Sequence, residues 1–426
     1  MESYLFDDLS ITLNQEGARE YAKVSFPIRY GLFSEIKTPD CIFQCNLNGE
    51  IKYIQGRGQN WPHPAEWLKR TVANDWVYYA AGDYQGFYDI IGEYYFPCLS
   101  YPSNTLLEED PFTEDSVKSA IGSWPMVRRH LTEGISSRIP GDVRDFLLRV
   151  TRNDEKTLSL RARTLHHLIG GPVTVLPPDS RHVDYEVIPI TVADGCLYNC
   201  GFCRVKSGGD FKPRTRKNIA EQIKNLKRYY GRDLPNYNSV FLGHHDALGA
   251  GQELVEFAAE EACELFEIRR SHLKGANLFL FGSVDSMIHS KEALFELLNS
   301  LPFSVYINIG LESADPATLA LLKKPITVEM VREAFQRMLE INRGYEKIAV
   351  TANFVLGDGL PASHLASLFE LIGGRSGSSC KGALYLSPLM NGETRGKEWK
   401  KEMLMNLRKV KKQSSLPVFL YLIQKM

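Results

Sequence analysis

The chain lacks any run of about 18 consecutive apolar residues, so no membrane-spanning helix is expected. It also lacks a basic start followed by an apolar stretch. The opening MESYLFDDLSITLNQ carries early acids and does not read as a signal peptide. There is no marked charge bias: the formal net charge is −1 over 426 residues. That excludes a whole-protein basic field of the kind that concentrates nucleic acid. Solenoid-period repeats and long low-complexity tracts are missing. Cysteine is scarce, with eight residues thinly spread except for one tight trio. Without an export signal, that pattern points to a reducing cytoplasm rather than a disulfide framework. No second CxxC knuckle accompanies the trio, which argues against a zinc ribbon.

What is present is ample core material. Hydrophobic residues make up 44% of the chain, and the length suits two or three domains of about 150 residues, or one barrel with an accessory domain. Residues 1 to about 185 show no regular strand–helix alternation and are read as an N-terminal α+β accessory domain. Within it, CIFQCNL and EIKYIQG flank Asn48-Gly49, a strong hairpin signal because both residues tolerate positive φ. A helix is expected along AEWLKRTVA after Pro64, and others near 116–130 and 141–150. The aromatic-dense stretch from Trp76 to Tyr101 reads as core packing. The segment RTLHHLIGGPVTVLPPDSRHVDY reads as a helix end, a glycine stop and an extended proline-rich linker.

From residue 186 the rhythm changes. Apolar runs at 187–193, 239–243, 278–283, 304–310, 348–357 and 382–388 alternate with helical patterns near 216–230, 252–268, 290–299, 328–342 and 363–372. Near-continuous apolar strands separated by helices imply a parallel sheet buried on both faces. Six such units predict an α/β fold, a partial (β/α)6 TIM-like barrel over 186–390. Residues 391–426 add a basic helix and a terminal apolar segment. The helix could touch an anionic partner, even RNA, but a solvated amphipathic face with Trp399, Met403 and Leu407 buried is the favoured reading.

The most informative segment is VADGCLYNCGFCRVK, residues 192–206. Cys196, Cys200 and Cys203 are spaced C-x3-C-x2-C on a loop directly after a predicted strand. Asp194, Gly195, Asn199 and Gly201 suit a tightly curled loop, which can aim several thiolates at one point. Three thiolates on a four-iron cluster leave one iron open to an external ligand. Buried apolar cysteines and a Cys3His zinc site are the competing readings. Three cysteines within eight positions, with only five elsewhere, favour the cluster.

CxxxCxxC after the first strand of such a barrel resembles the signature of the radical S-adenosylmethionine (SAM) superfamily. The resemblance implies a [4Fe–4S] cluster whose unique iron chelates the amino and carboxylate groups of SAM. It also implies a reductant such as flavodoxin or ferredoxin, and cleavage of SAM to methionine and a 5′-deoxyadenosyl radical. By the same likeness Phe202 packs near the adenine, and strand-end residues complete the pocket. These are Gly243 (SAM amino group), Ser283 and Asp285 (ribose hydroxyls), Glu312 and Ser313 (facing the cofactor) and Lys323 or Lys324 (SAM carboxylate), with Val355 and Leu356 beside the adenine. The usual glycine-rich second strand end is replaced by Gly243-His244-His245-Asp246, so His244 and His245 become candidate acid/base or substrate-contact groups. Substrate is expected to enter between the barrel mouth and the accessory domain. A tRNA- or protein-modifying enzyme of the superfamily and a non-catalytic iron–sulfur or zinc protein are the alternatives. The cysteine-rich C-terminal extension of peptide-maturing relatives and a DxHxxG cobalamin signature are absent.

Overall fold

The computed structural model describes the chain except residues 1–2, 22–28, 82–85, 100–109, 137, 199, 204–208, 245, 358, 374–380, 390–396 and 423–425. His245 and Asn199 therefore lie outside the described residues. So does Cys380.

The N-terminal part builds a meander of antiparallel strands: β1 (Ser3–Phe6), β2 (Leu9–Glu16), β3 (Leu32–Lys37), β4 (Cys41–Cys45), β5 (Ile51–Gly56), β6 (Trp67–Arg70), β7 (Trp76–Ala81) and β8 (Tyr95–Leu99). The hairpin expected at Asn48-Gly49 joins β4 to β5, with Gly49 at φ +77°. Around the sheet lie α1 (Gly86–Ile91), α2 (Asp115–Gly134), α3 (Gly141–Arg152) and α4 (Glu155–Ile169). The helix expected along residues 65–73 is a strand instead. β6 pairs with both β5 and β7, and all four of its residues are buried. Its helical reading fails because both faces are used: Trp67 stacks on Tyr79 at 5.0 Å, while Lys69 is committed to carboxylates described below.

The second sheet is parallel throughout. β9 (Ile188–Thr191), β12 (Ser239–Gly243), β13 (Asn277–Gly282), β14 (Ser304–Glu312), β15 (Ile348–Leu356), β16 (Leu384–Pro388) and β17 (Val418–Leu420) neighbour one another in chain order. A two-stranded pair, β10 (Ala193–Asp194) with β11 (Lys212–Pro213), follows β9. The crossovers are α5 (Arg216–Tyr230), α6 (Gln252–Leu265), α7 (Val284–His289), α8 (Glu292–Ser300), α9 (Pro316–Leu321), α10 (Val328–Gly344), α11 (Ser363–Gly373) and α12 (Lys397–Gln413). Because the order never reverses, there is no topological switch point of the doubly wound kind. The sequence suggested six strands ending near residue 390. The structure adds β17, so the last segment continues the sheet. On α12, Trp399, Met403 and Leu407 are buried, as the amphipathic reading expects.

The two faces of this sheet differ. One is aliphatic: Val240 and Leu242, Leu278 and Leu280, Ile307 and Ile309, Val350 and Ala352 are buried against helices. The other carries registered rows of different chemistry, Phe241–Phe279–Tyr306 and Phe281–Asn308–Thr351. A linear reading of apolar runs could not separate them, since alternation is masked when both faces are buried.

The expected linker is a plug. Residues 173–183 lie against the inner face: Asp179 accepts from Thr351 Oγ1 (2.6 Å) and Tyr385 OH (2.9 Å). His182 stacks on Tyr306 at 5.1 Å, and Tyr421 OH donates to the Leu176 carbonyl at 2.6 Å. Asp179 is 2% exposed. Two successive prolines removed the donors that a helix or strand would use, which made the segment look like a connector.

The N-terminal sheet packs under the parallel sheet, at the N-terminal ends of its strands. Asn236, just before β12, exchanges hydrogen bonds of 2.8 Å with Leu32 N and O. Lys274, before β13, donates from its backbone to the Arg19 carbonyl at 2.7 Å. Before β9, Lys69 Nζ reaches Glu186 Oε1 (2.9 Å) and Asp184 Oδ2 (3.3 Å), and Lys52 reaches Glu186 at 3.1 Å. Burial alone would push the Glu186 carboxyl up, but Lys52 and Lys69 bring it down to about 2. A depressed carboxyl contributes stability that is complete above its unfolded value and lost as pH falls toward the folded one. Glu186 is therefore expected to contribute roughly 3 kcal/mol that disappears between about pH 4.5 and 2. Urea unfolding of wild type and Glu186→Gln at pH 6 and pH 3 checks this. Equal pH dependence in both would refute the assignment.

Candidate functional site

In a parallel sheet the C-terminal strand ends share one edge, and the cysteine loop rises from that edge after β9. The sheet places chemistry there by the usual logic of such folds. Its base is pinned by β10 and β11, and by Arg214, whose Nε and Nη2 reach Asp194 at 2.8 and 2.5 Å. Those hydrogen bonds hold the Asp194 carboxyl below its ordinary range, with His244 and Lys212 acting in the same direction. Gly195 sits at φ +78°, where a Cβ would lie 2.1 Å from the Asp210 carbonyl oxygen, so only glycine fits.

Further along the loop, Gly201 N donates to the Leu322 carbonyl at 2.8 Å. A Cβ on Gly201 would come within 3.1 Å of Lys323 Cδ. The loop is thus seated on the turn that follows α9. Cys200 is buried, while Cys196 and Cys203 are half-buried. Burial pushes the Cys200 thiol up and the Lys324 ammonium pulls it down. Burial likewise raises the Cys196 thiol, against a backbone hydrogen bond and Lys324. Cys196 and Cys203 both act on Cys200 electrostatically, which places the trio in one neighbourhood.

Among the described residues, no group of three or more Cys, His, Asp and Glu side chains could hold a single metal ion. The donor chemistry fits a larger, soft, sulfur-ligated group instead. Three thiols sit on a loop that glycines let bend closely, with a cation nearby to balance thiolate charge.

Two other strand ends, those of β13 and β14, and the turn after α9 meet this loop. Glu312 closes β14 beyond a bulge, at φ +64°, a costly conformation for a non-glycine residue. Its carboxylate folds back over Gly310, where any Cβ would lie 2.4 Å from Oε1. Lys324 Nζ pairs with Glu312 Oε1 at 3.3 Å, with both side chains almost buried. The same ammonium lies 5.2 Å from the centroid of the Tyr198 ring. Tyr198 OH donates to the Asp285 carboxylate and accepts from the Asp285 N–H at 3.0 Å. Burial and that carboxylate push the phenol up, so it remains a donor.

Not every predicted residue faces this point. Ser283 caps α7, accepting from Ser286 N at 2.9 Å. Ser313 is fully buried, its hydroxyl shared with His364 Nδ1 at 2.8 Å and Asp315 N at 3.0 Å. Val355 spends its carbonyl on His364 Nε2 at 3.0 Å, and burial pushes that imidazole down, toward its neutral form. Gly243 ends β12 where a Cβ would strike the Phe241 ring at 2.7 Å. His244 is half-buried near Asp194, and Phe202 is half-buried in the loop. Asp246 is a knot, accepting from Gly249 N (2.9 Å), Ser283 N (3.1 Å) and Ser286 Oγ (2.8 Å).

Sequence reasoning missed Tyr198, Arg214 and the structural use of Asp246. Tyr198 had one local signal, an aromatic inside the x3 spacer of the motif. Arg214 had none.

Residues 190–372 match the family model of the Radical SAM superfamily. That stretch holds the three cysteines, and the match supports a radical SAM superfamily protein. Among solved structures the chain is similar to a radical SAM methyltransferase from Sphaerobacter thermophilus, with 15% identity and a TM-score of 0.36. That likeness covers 54% of this chain and 64% of the other, so the chain spans under two thirds of the neighbour's length. No curated protein matches. The superfamily implies a [4Fe–4S] cluster and SAM, and typically a flavodoxin or ferredoxin reductant. Among the described residues no helix is long and apolar enough to cross a membrane.

Proposed function

We propose that the chain binds a [4Fe–4S] cluster through Cys196, Cys200 and Cys203 and cleaves SAM reductively to act on a substrate at the mouth of a partial βα barrel. One observation carries this reading: the cysteine loop, Glu312, Lys324 and Asp285 converge on one edge of the parallel sheet, with Lys324 coupled to the thiols. When bound, the cluster supplies one electron to the SAM sulfonium, giving methionine and a 5′-deoxyadenosyl radical that takes hydrogen from substrate.

The chain's own groups have distinct tasks in this reading. Lys324 offers a cation to the SAM carboxylate, a charge-assisted contact of the stronger class. Glu312 and Asp285 offer acceptors to an ammonium or to ribose hydroxyls. Phe202 packs at the adenine. Phe241, Phe279 and Tyr306 cover the floor of the inner face with apolar surface and so exclude water. His244, beside the loop base, is the candidate proton-transfer or substrate-contact group, with His245 next to it in sequence.

The site of substrate entry is revised. The N-terminal sheet packs at the opposite end of the strands, so substrate is not expected to enter between it and the mouth. Instead it approaches the strand ends beside the cysteine loop.

Anaerobic reconstitution with iron and sulfide, followed by dithionite and SAM, tests the proposal. About four irons per chain and release of 5′-deoxyadenosine are expected. Tightly held zinc with no SAM turnover would point instead to a non-catalytic metal protein.

A further inference from the structure

Tyr198 stands between Cys196 and Cys200, yet its side chain is spent on the end of β13 and on the turn after α9. Its hydroxyl bonds both the carboxylate and the amide of Asp285, which opens α7 after β13. Its ring faces the Lys324 ammonium at 5.2 Å, on the turn after α9. Lys324 is in turn paired with Glu312 at the end of β14. One side chain therefore ties two groups of opposite charge, Asp285 and Lys324, to the loop that carries the thiols.

We propose that Tyr198 is a positioning residue for SAM: its hydroxyl aims the Asp285 carboxylate, its ring seats Lys324, and its place in the motif ties both to the cluster loop. This rests on the SAM site proposed above. The phenol engages Asp285 Oδ2, which leaves Oδ1 as the acceptor for a ribose hydroxyl. Without the phenol, the carboxylate can rotate, and a bound hydroxyl must first pay for ordering it. The ring contributes differently, since a cation over an aromatic face is held by its quadrupole without a hydrogen bond. Hydroxyl and ring are thus separable by substitution.

The experiment uses full-length reconstituted protein as wild type, Tyr198→Phe, Tyr198→Leu, Asp285→Asn and the Tyr198→Phe/Asp285→Asn pair. Iron content, the EPR signal of the dithionite-reduced cluster without SAM, and the SAM concentration that shifts that signal are measured. Tyr198→Phe is expected to keep its iron and its SAM-free signal while SAM binding weakens about tenfold, the loss of a hydrogen bond to a charged group. Asp285→Asn should weaken it similarly, and the pair should be no weaker than Asp285→Asn alone, because both remove one interaction. Tyr198→Leu should bind SAM more weakly than Tyr198→Phe. Unchanged SAM binding in Tyr198→Phe overturns the inference, as do losses that multiply in the pair. Loss of iron in Tyr198→Phe also overturns it, since the residue would then merely support the loop. If wild type itself takes up iron but never responds to SAM, the proposed SAM site falls, and this inference with it.

Discussion

Replacing Cys200 with alanine is expected to abolish both iron retention and SAM cleavage, and Cys196→Ala and Cys203→Ala should do the same. In the site proposed above the three thiols are the donors, and Gly195 and Gly201 fix the loop's course against Asp210 and Leu322. Removing one leaves two ligands for a cluster that already lacks a fourth. Among the described residues, the neighbouring acids Glu312 and Asp285 are already committed to Lys324 and Tyr198. The controls are Cys41, Cys45 and Cys263, buried cysteines in strands and a helix away from this loop. Their serine variants are expected to keep iron, although each costs some stability through a buried hydroxyl. Iron and sulfide assays, with 5′-deoxyadenosine measured by chromatography, separate the two groups. Iron lost equally from both sets would mean that folding, not ligation, is being read.

Lys69→Met should destabilise the protein by about 3–5 kcal/mol, the usual penalty for removing one partner of a buried ionic group. Lys69 is 3% exposed and touches the Asp184 carbonyl, the Asp184 carboxylate and Glu186. Lys52 alone would then pair with Glu186 beneath β9, and Asp184 would keep its hydrogen bond from Tyr95 OH. The loss should shrink toward low pH, because a buried carboxylate that has lost a cation can take up a proton there. The segment from Asp184 to Glu186 joins the plug to the strand that leads to the cysteine loop, so the variant should also reconstitute less cluster. Urea unfolding at pH 7 and pH 5 measures the first effect. A loss below about 1 kcal/mol at pH 7 would show that the site repacks or admits water.

How much of this could be read in sequence follows from distance along the chain. The cysteine spacing is local, and so are the helix caps. Thr215 closes the start of α5 on Asn218 N, and Asp315 closes the start of α9 on Thr318 N. Those elements emerge at nearly the expected residues. The latch between Tyr198 and Asp285 spans 87 residues, and no periodicity announces such a pair. The N-terminal sheet was mostly invisible, because its strands are short and several are buried on both faces. β6 carries no alternation to mark it as a strand. The plug was hidden by its prolines. The inner face of the parallel sheet was hidden by its own burial, which makes Asn308 and Thr351 look like interruptions in apolar runs. In the structure they are bonded to one another at 2.9 Å. Placing the N-terminal sheet needed contacts such as Asn236 with Leu32, and those motivate the different route of substrate entry proposed above.

Mössbauer spectroscopy of protein reconstituted with iron-57, recorded with and without SAM, tests the central claim most directly. Three thiolates on four irons predict a spectrum in which one iron in four changes when SAM is added, while the other three do not. Four irons indifferent to SAM, or a metal other than iron in the reconstituted site, would contradict it.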